Sequence, residues 1–353
     1  MPIPTEPIGS IPRPPELIDG MRQFAAGRIS RDEMRSRYER AIRDTIQRFE
    51  ATGSPVITDG EQSKPSFVTY PIHGLATLAP EGVTIPFADG HTRQLPRLTA
   101  GPFRYVTSAD AFLEEARKTA RVPVKQAVIS ASALSLLYPQ DGVAGYSRDA
   151  FLDDLVCEAE QEIRRCLTKG AYNVQIDFTE ARLSVKLDPT QQLLRAFVGL
   201  NNRVLDRFTP VERKRIGVHT CPGGDHDSTH SADVDYADLL PVLFQMHAGA
   251  FYLELAGEDD PEAVLDVVAA NLGDRRVFIG VTNPIDRNVE TPEQVRDRVM
   301  LAAKYLPLDQ LGTTDDCGFS PFADDDSTAR ETAFAKIRAR VEGTALAAEQ
   351  LGI

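Results

Sequence analysis

The segment RIGVHTC (residues 215–221) is a short apolar run that ends in His219 and Cys221, and the fold is predicted from the recurrence of this pattern. Similar runs recur along the chain, and each ends in polar residues before a helical stretch begins. They are IPTEPIGS at the start, PVITD to Asp59, VPVKQAVIS to Ser130, NVQIDF with Asp177, AFYLELA with Glu254, VFIGVTN with Asn283 and QLGTTDDC with Cys317. With RIGVHTC, these segments give eight predicted strands.

Amphipathic helical patterns separate the predicted strands. They include residues 29–53, 151–170, 261–273 and 291–307. Strands that alternate with helices predict parallel βα units. Eight such units predict an α/β fold of the (β/α)8 TIM barrel class. A doubly wound open sheet is the alternative, but the first strand lacks the glycine-rich turn that a dinucleotide-binding fold needs.

Two segments are longer than the loops of a minimal barrel, and both are predicted to be insertions. Residues 66–108, after the second strand, are expected to form a hairpin or loop over the barrel mouth, and residues 222–235 form a polar loop after the fifth strand. Both would lie at the C-terminal face, where barrel enzymes build their active sites. Residues 1–353 are otherwise expected to form a single barrel domain.

Composition narrows the classes of function. The formal net charge of -13 argues against nucleic-acid binding, because an acidic surface repels phosphate. No apolar run reaches the length of a membrane span, and Met1 to Ser10 do not resemble a secretory signal, so a cytoplasmic protein is expected. Cys157 and Cys166 lie in a helical pattern and are interpreted as packing residues.

The polar residues at three strand ends form a candidate metal site. His219 and Cys221 stand two residues apart on one strand, so both side chains point to the same face. Glu254 ends the next strand and Cys317 ends the eighth. One imidazole, two thiolates and one carboxylate suit tetrahedral zinc, and an anionic zinc shell keeps a bound thiolate nucleophilic. Zn²⁺ that activates a thiol is therefore the predicted cofactor.

The motifs IGSIPRP (residues 8–14), TDGEQ, QIDFTEAR, HTC and DCGF follow one another in an order that resembles a known family. This family is the C-terminal catalytic barrel of cobalamin-independent methionine synthase, and the resemblance covers essentially the whole chain as a stand-alone core form. It implies that His219, Cys221, Glu254 and Cys317 are zinc ligands.

The resemblance also implies a substrate site. Glu61 and Asp177 match carboxylates that hold the amino group of homocysteine, and Ser10 matches a group near its carboxylate. Two carboxylates at a barrel mouth independently suit an ammonium group. The alternative is structural pairing of Glu61 and Asp177 with a nearby cation such as Arg182.

Two features of the family are missing. The stretch GVTNPIDRNVE (residues 280–290) has Asn283 and Asp286 where the family has a catalytic histidine, and the chain contains no tryptophan. Both absences argue against methyltetrahydrofolate as the methyl donor. His226 and His230, in the loop after the fifth strand, and Asp286 are the candidate acid catalysts. The alternative for the two histidines is that they are solvated loop residues.

The predicted function is zinc-dependent methyl or alkyl transfer to a thiol, with homocysteine favoured and the alkyl donor unidentified. The first alternative is an epoxyalkane:coenzyme M transferase, in which His226, His230 or Tyr70 would protonate the opened ring. A second alternative is a zinc-binding or thiol-binding protein without turnover. A zinc hydrolase ranks below both transferases, because two thiolates weaken the Lewis acidity of zinc. The outer helices show no apolar excess that would decide between a monomer and a homo-oligomer, so both states remain alternatives.

Overall fold

The computed structural model describes residues 3–224 and 228–353, which form twelve α-helices, ten β-strands and one 3-10 helix, Tyr70–Ile72. The helices are α1 (Pro15–Ala25), α2 (Arg31–Ala51), α3 (Asp110–Arg117), α4 (Ala131–Ser135), α5 (Arg148–Thr168), α6 (Glu180–Leu187), α7 (Gln192–Leu205), α8 (Pro210–Arg213), α9 (Tyr236–Leu243), α10 (Pro261–Asn271), α11 (Pro292–Ala302) and α12 (Arg330–Leu351). The strands are β1 (Leu78–Ala79), β2 (Thr84–Pro86), β3 (Thr92–Gln94), β4 (Arg97–Leu98), β5 (Gln126–Ile129), β6 (Val174–Asp177), β7 (Ile216–Thr220), β8 (Ala250–Leu253), β9 (Arg276–Gly280) and β10 (Leu311–Thr314).

Strands β5 to β10 form one parallel sheet in which each strand pairs with the next along the chain. All of their residues are buried except Arg276 at the start of β9. Burial on both faces is typical of a parallel sheet that lies inside a layer of helices. These six strands are therefore the third to eighth strands of the predicted barrel.

The first two barrel strands are short and close the barrel through single bridges. Thr5 pairs in parallel with Thr313 of β10, and Ile57 pairs in parallel with Val124, just before β5. The first two strand segments meet where the Ile11 amide donates to the Gly60 carbonyl at 3.0 Å. Proline has no amide hydrogen to add to a ladder, which accounts for the brevity of the proline-rich first strand. The predicted (β/α)8 barrel class is thus confirmed.

Several helices begin where the sequence supplies a side-chain cap. Ser30 accepts a hydrogen bond from the Glu33 amide at the start of α2. Thr291 and Gln294 form a reciprocal capping box at the start of α11. Such caps satisfy amide groups that have no partner inside the helix. No helix in the described part of the chain is long and apolar enough to cross a membrane.

Residues 66–108 contain two small antiparallel pairs, β1 with β4 and β2 with β3. This segment reaches the loop after β7, because the Ala88 amide donates to the Thr229 carbonyl at 2.8 Å. It also contacts the chain after β10, where the Phe67 amide donates to the Pro321 carbonyl at 3.1 Å. The segment therefore lies beside loops that follow the C-terminal ends of two barrel strands.

A fully buried arginine joins the C-terminal helix to the barrel. Arg340 of α12 pairs with Asp315 at 3.0 Å and donates to the Thr5 hydroxyl at 2.7 Å. Asp315 also accepts a hydrogen bond from the Thr282 hydroxyl at 2.8 Å. One ion pair therefore connects α12 with the first, seventh and eighth strand segments.

Replacing Arg340 with methionine should lower the free energy of unfolding by about 3–5 kcal/mol, because Asp315 would remain buried without its cation. Arg338→Met, at an exposed position of the same helix, should change it by no more than about 0.5 kcal/mol. Urea unfolding followed by circular dichroism measures both values. Equal effects of the two substitutions would contradict the assigned role of the Arg340 pair.

Candidate active site

Three of the four predicted metal ligands meet at the barrel mouth. The side chains of His219, Cys221 and Cys317 are buried, and their ligand atoms all lie within 4.8 Å of one another. His219 lies in β7, Cys221 follows that strand, and Cys317 follows β10. The sulfurs of the two cysteines are in direct contact, paired as a disulfide, and their Cα atoms are 5.9 Å apart. Metal binding would require both cysteines as thiolates.

The imidazole of His219 is oriented as in a metal-binding histidine. Its Nδ1 lies 3.2 Å from the Tyr252 carbonyl oxygen, to which it donates in the Nδ1–H tautomer. Its Nε2 is buried without a hydrogen-bond partner among the described residues. Burial lowers the pKa of His219 to about 3. A neutral imidazole with one nitrogen fixed by a carbonyl and the other free is the form that binds metal.

Glu254, the fourth predicted ligand, lies outside this group of three. Its carboxylate accepts a hydrogen bond from Arg182 at 2.8 Å, and the same Arg182 nitrogen bonds to Glu258 at 2.6 Å. Burial, and then the charge of Asp316, raise the pKa of Glu254 well above its ordinary value. The Glu254 carboxylate therefore already has an arginine partner. To act as a metal ligand, it would have to bind both Arg182 and the metal.

Asp316 fixes the loop that carries Glu254. Its two carboxylate oxygens accept hydrogen bonds from the amides of Leu255, Ala256 and Gly257 at 2.7–2.9 Å. A side chain on Gly280 would collide with the Asp316 carboxylate. The glycine at the end of β9 thus leaves room for the aspartate beside Cys317, and that aspartate sets the path of the chain after β8.

The two carboxylates predicted to hold an amine both line the same cavity, but among the described residues only Glu61 forms an ion pair with a cation. Glu61 pairs with Lys64 at 2.7 Å, and both side chains are almost completely buried. Asp177 accepts a hydrogen bond from the Gln175 amide group at 2.7 Å. Burial, followed by the nearby charge of Glu61, raises the pKa of Asp177. Arg182, the cation considered in the sequence, pairs with Glu254 instead.

Glu61 occupies its position through an unusual backbone turn. Its φ angle is +57°, which side chains other than glycine rarely adopt. The Glu61 amide donates to Asp59 at 2.9 Å, and Arg13 donates to the carbonyls of Glu61 and Lys64 at 2.8 Å each. These contacts hold the TDGEQ turn in place, as expected for strained backbone at a functional site.

Ser10 also lines the cavity, directly after the first strand. Its hydroxyl oxygen accepts a hydrogen bond from the Ser320 amide at 3.1 Å, and its carbonyl accepts from the Phe319 amide at 3.0 Å. The chain after Cys317 is therefore fixed against the first strand. This contact brings Ser10 to the same cavity as the two cysteines.

The cavity has two chemically different parts. Its polar lining consists of Ser10, Glu61, Asp177, Thr179, Glu180, His219, Cys221, Ser228, His230 and Cys317. Its large apolar lining residues are Ile8, Phe67, Val68, Ile85, Phe87, Leu95, Leu136, Leu183, Pro321 and Phe322. Five of the apolar residues come from the 66–108 segment, which therefore forms much of the cavity wall.

The three candidate acids differ in position. His230 lines the cavity, and its ring accepts from or donates to the Ser231 hydroxyl at 2.8 Å. Burial, with the charges of Arg182 and Lys186, lowers the pKa of His230 to about 4. Asp286 is exposed and accepts hydrogen bonds from Asn288. His226 lies outside the described residues.

Tyr70 and Asn283 have structural partners instead of places in the cavity lining. The Tyr70 hydroxyl donates to Glu162 at 3.0 Å, and the Asn283 side chain accepts from the Ile285 amide at 2.9 Å. Sequence reasoning missed Lys64 and Glu180. Lys64 follows Glu61 by three residues, and Glu180 follows Asp177 by three. Both could have been found by considering the charged residues that lie next to the matched motifs.

The chain is similar to known proteins over nearly its whole length. Residues 3–342 match the family model for the catalytic domain of the cobalamin-independent synthases. A methionine synthase from Sulfurisphaera tokodaii is 22% identical over 353 residues, which cover 99% of this chain and 94% of the relative.

Two solved structures share the fold. A B12-independent methionine synthase from a Shewanella species, in complex with selenomethionine, has a TM-score of 0.76 at 18% identity, with 99% of both chains covered. A putative vitamin-B12 independent methionine synthase from Listeria monocytogenes has a TM-score of 0.70 at 20% identity, with 97% of both chains covered.

Proposed function

The chain belongs to the cobalamin-independent synthase family, and on that premise we propose that it transfers a methyl or small alkyl group to the thiol of homocysteine held at a zinc ion. The family resemblance predicted from the sequence motifs is confirmed, and family membership indicates a methyltransferase. The observation that carries the proposal is the cluster of His219, Cys221 and Cys317 in the same cavity as Glu61 and Asp177.

The donor set fits zinc. Imidazole nitrogen and two thiolates are ligands that zinc accepts, and the free Nε2 of His219 supplies the first of them. Glu254 is the proposed fourth zinc ligand. It would bind the metal either with one oxygen while keeping its hydrogen bond to Arg182, or after that hydrogen bond breaks. Bound zinc would lower the pKa of the substrate thiol and hold it as a nucleophilic thiolate.

The charges around the cavity support an amine-bearing thiol. Glu61 and Asp177 are two carboxylates, whereas Lys64 is the single cation paired with them among the described residues. The ammonium group of homocysteine would supply the second positive charge. Ser10, at the same cavity, is proposed to lie near the substrate carboxylate.

The rest of the cavity would receive the alkyl donor. Its wall is formed by the aromatic rings of Phe67, Phe87 and Phe322, together with aliphatic side chains. Apolar walls exclude water and orient a bound reactant toward the thiolate, and such positioning contributes much of the rate of a two-reactant transfer. A compact donor with an apolar body fits this lining.

The apolar wall also favours a second candidate function, the opening of an epoxyalkane by the thiolate of coenzyme M. The lining around Phe67, Phe87 and Leu95 would accept a small alkyl epoxide. The carboxylates Glu61 and Asp177 disfavour it, because coenzyme M carries a sulfonate and no amine. This reaction therefore ranks second.

Cys317→Ser should abolish zinc retention and thiol alkylation, because a serine hydroxyl is a poor replacement for a thiolate ligand. Cys157→Ser, which removes a thiol outside the cavity, is the control and should retain both. Metal content by mass spectrometry and product formation from homocysteine measure the outcome, with protein purified under a thiol-free reductant. Full activity of the Cys317 variant would refute the proposed metal site.

Asp177→Asn and Glu61→Gln should each weaken homocysteine binding roughly 10- to 100-fold, since a charge-assisted hydrogen bond is worth about 1.5–3 kcal/mol. Neither should weaken binding of mercaptobutanoate, the same thiol without its amine, by more than about threefold. Asp286→Asn is the exposed control and should bind both thiols normally. Calorimetric titration of zinc-loaded protein gives the affinities.

Binding of coenzyme M in preference to homocysteine would contradict the assignment of the thiol. Equal losses of affinity for homocysteine and mercaptobutanoate would show that Glu61 and Asp177 support the cavity without contacting the amine.

A further inference from the structure

Glu180 is a buried carboxyl group that lines the cavity and has no role in the thiol alkylation proposed above. It is the first residue of α6, and its exposed fraction is 8%. Asp177, three residues earlier, belongs to the polar lining of the cavity, and Leu183, three residues later, belongs to the apolar lining. Glu180 therefore lies in the segment of chain that joins the proposed amine site to the apolar wall.

One oxygen of Glu180 is held by a directional set of hydrogen bonds. The hydroxyls of Ser130 and Ser132 both donate to Oε1. Ser132 in turn accepts a hydrogen bond from the Asn201 side chain at 2.7 Å. Of the two acceptors near its own hydroxyl, Glu180 Oε1 is closer than Ser130 Oγ, which lies 3.3 Å away. The two serines thus fix the position of the carboxyl group and would stabilise it as a carboxylate.

The other oxygen, Oε2, is buried without a hydrogen-bond partner among the described residues. Among the described residues, Glu61 and Glu254 each form an ion pair with a cation, whereas Glu180 forms none. Burial raises the pKa of Glu180 to about 7. A carboxyl group in such surroundings can hold a proton near neutral pH and release it during a reaction.

We propose that Glu180 is the proton donor to the leaving atom of the alkyl donor, and that the donor class is one whose leaving atom is a basic oxygen or nitrogen. This inference rests on the proposed thiol alkylation. It assigns to Glu180 the acid role for which the sequence offered His226, His230 and Asp286.

The proposed step balances without a further reactant. The substrate thiolate attacks the alkyl carbon, the carbon–sulfur bond forms and the bond from carbon to the leaving oxygen or nitrogen breaks. The leaving atom takes the electron pair of that bond and the proton of Glu180. The Glu180 carboxylate remains hydrogen-bonded to Ser130 and Ser132, and it regains a proton from solvent after the product leaves.

Two small alkylating reagents separate proton donation from positioning. Propylene oxide needs a proton on its oxygen when the ring opens, whereas methyl iodide releases iodide without one. With zinc-loaded protein and homocysteine, Glu180→Gln should slow thioether formation from propylene oxide about 10²- to 10⁴-fold, the usual contribution of a general acid. Its rate with methyl iodide should remain within about twofold of the wild-type rate, because no proton is transferred.

Glu162→Gln is the matched control, a buried carboxyl group that does not line the cavity. It should leave both rates unchanged. Equal slowing of both reagents by Glu180→Gln would overturn the proposal in favour of a structural role, and an unchanged rate with propylene oxide would overturn it as well. If wild-type protein alkylated homocysteine with neither reagent, the thiol site of the proposed function would be refuted, and with it the role of Glu180 in that reaction.

A second measurement does not depend on alkylation. Infrared difference spectra between acidic and alkaline protein should contain a carboxylic-acid carbonyl band that titrates near neutral pH and is missing from Glu180→Gln. Absence of that band in the wild-type spectra would overturn the proposal whatever the alkylation rates.

Discussion

The parallel register of three neighbouring strands is the constraint on which the site depends. Asp177 at the end of β6 pairs with His219 of β7, and His219 pairs with Tyr252 of β8. This register places Asp177 and His219 at the same level of the sheet, and it places the Tyr252 carbonyl where it fixes Nδ1 of His219. A shift by one residue would turn these side chains to the other face of the sheet. Barrel closure through Thr5 and Thr313 then brings Cys317 to the same mouth.

Buried charge shapes the remainder of the mouth. Glu61 has Lys64 and Glu254 has Arg182, whereas Asp177 and Glu180 lie at the cavity without an ion-pair partner among the described residues. Burying a carboxylate without a cation is costly, so such groups bind a ligand or hold a proton. The proposed amine at Asp177 and the proposed proton on Glu180 are the two outcomes that this rule allows. The proposed amine site and the proposed proton donor therefore have the same physical origin, a buried carboxyl group without an ion-pair partner.

The sequence predicted the barrel and the family because both depend on local signals. Strand ends such as RIGVHTC have recognisable patterns, and six of the eight strands appear as one parallel sheet. Side-chain partners were less predictable, since they depend on contacts between distant residues. The pairing of Arg182 with Glu254, 72 residues apart, is one example. The exposed position of Asp286 and the two serines around Glu180 likewise follow from how the loops pack, which no local motif encodes.

Zinc-edge X-ray absorption of the purified protein, with and without homocysteine, tests whether a bound zinc ion binds the substrate thiol. We expect a metal shell with about two sulfur ligands, from Cys221 and Cys317, that gains about one more when homocysteine is added. Such a change would establish that the metal binds the substrate thiol. Absence of zinc would contradict the proposed metal site. A shell that retains its two sulfurs but does not change on adding homocysteine would contradict the assignment of that thiol.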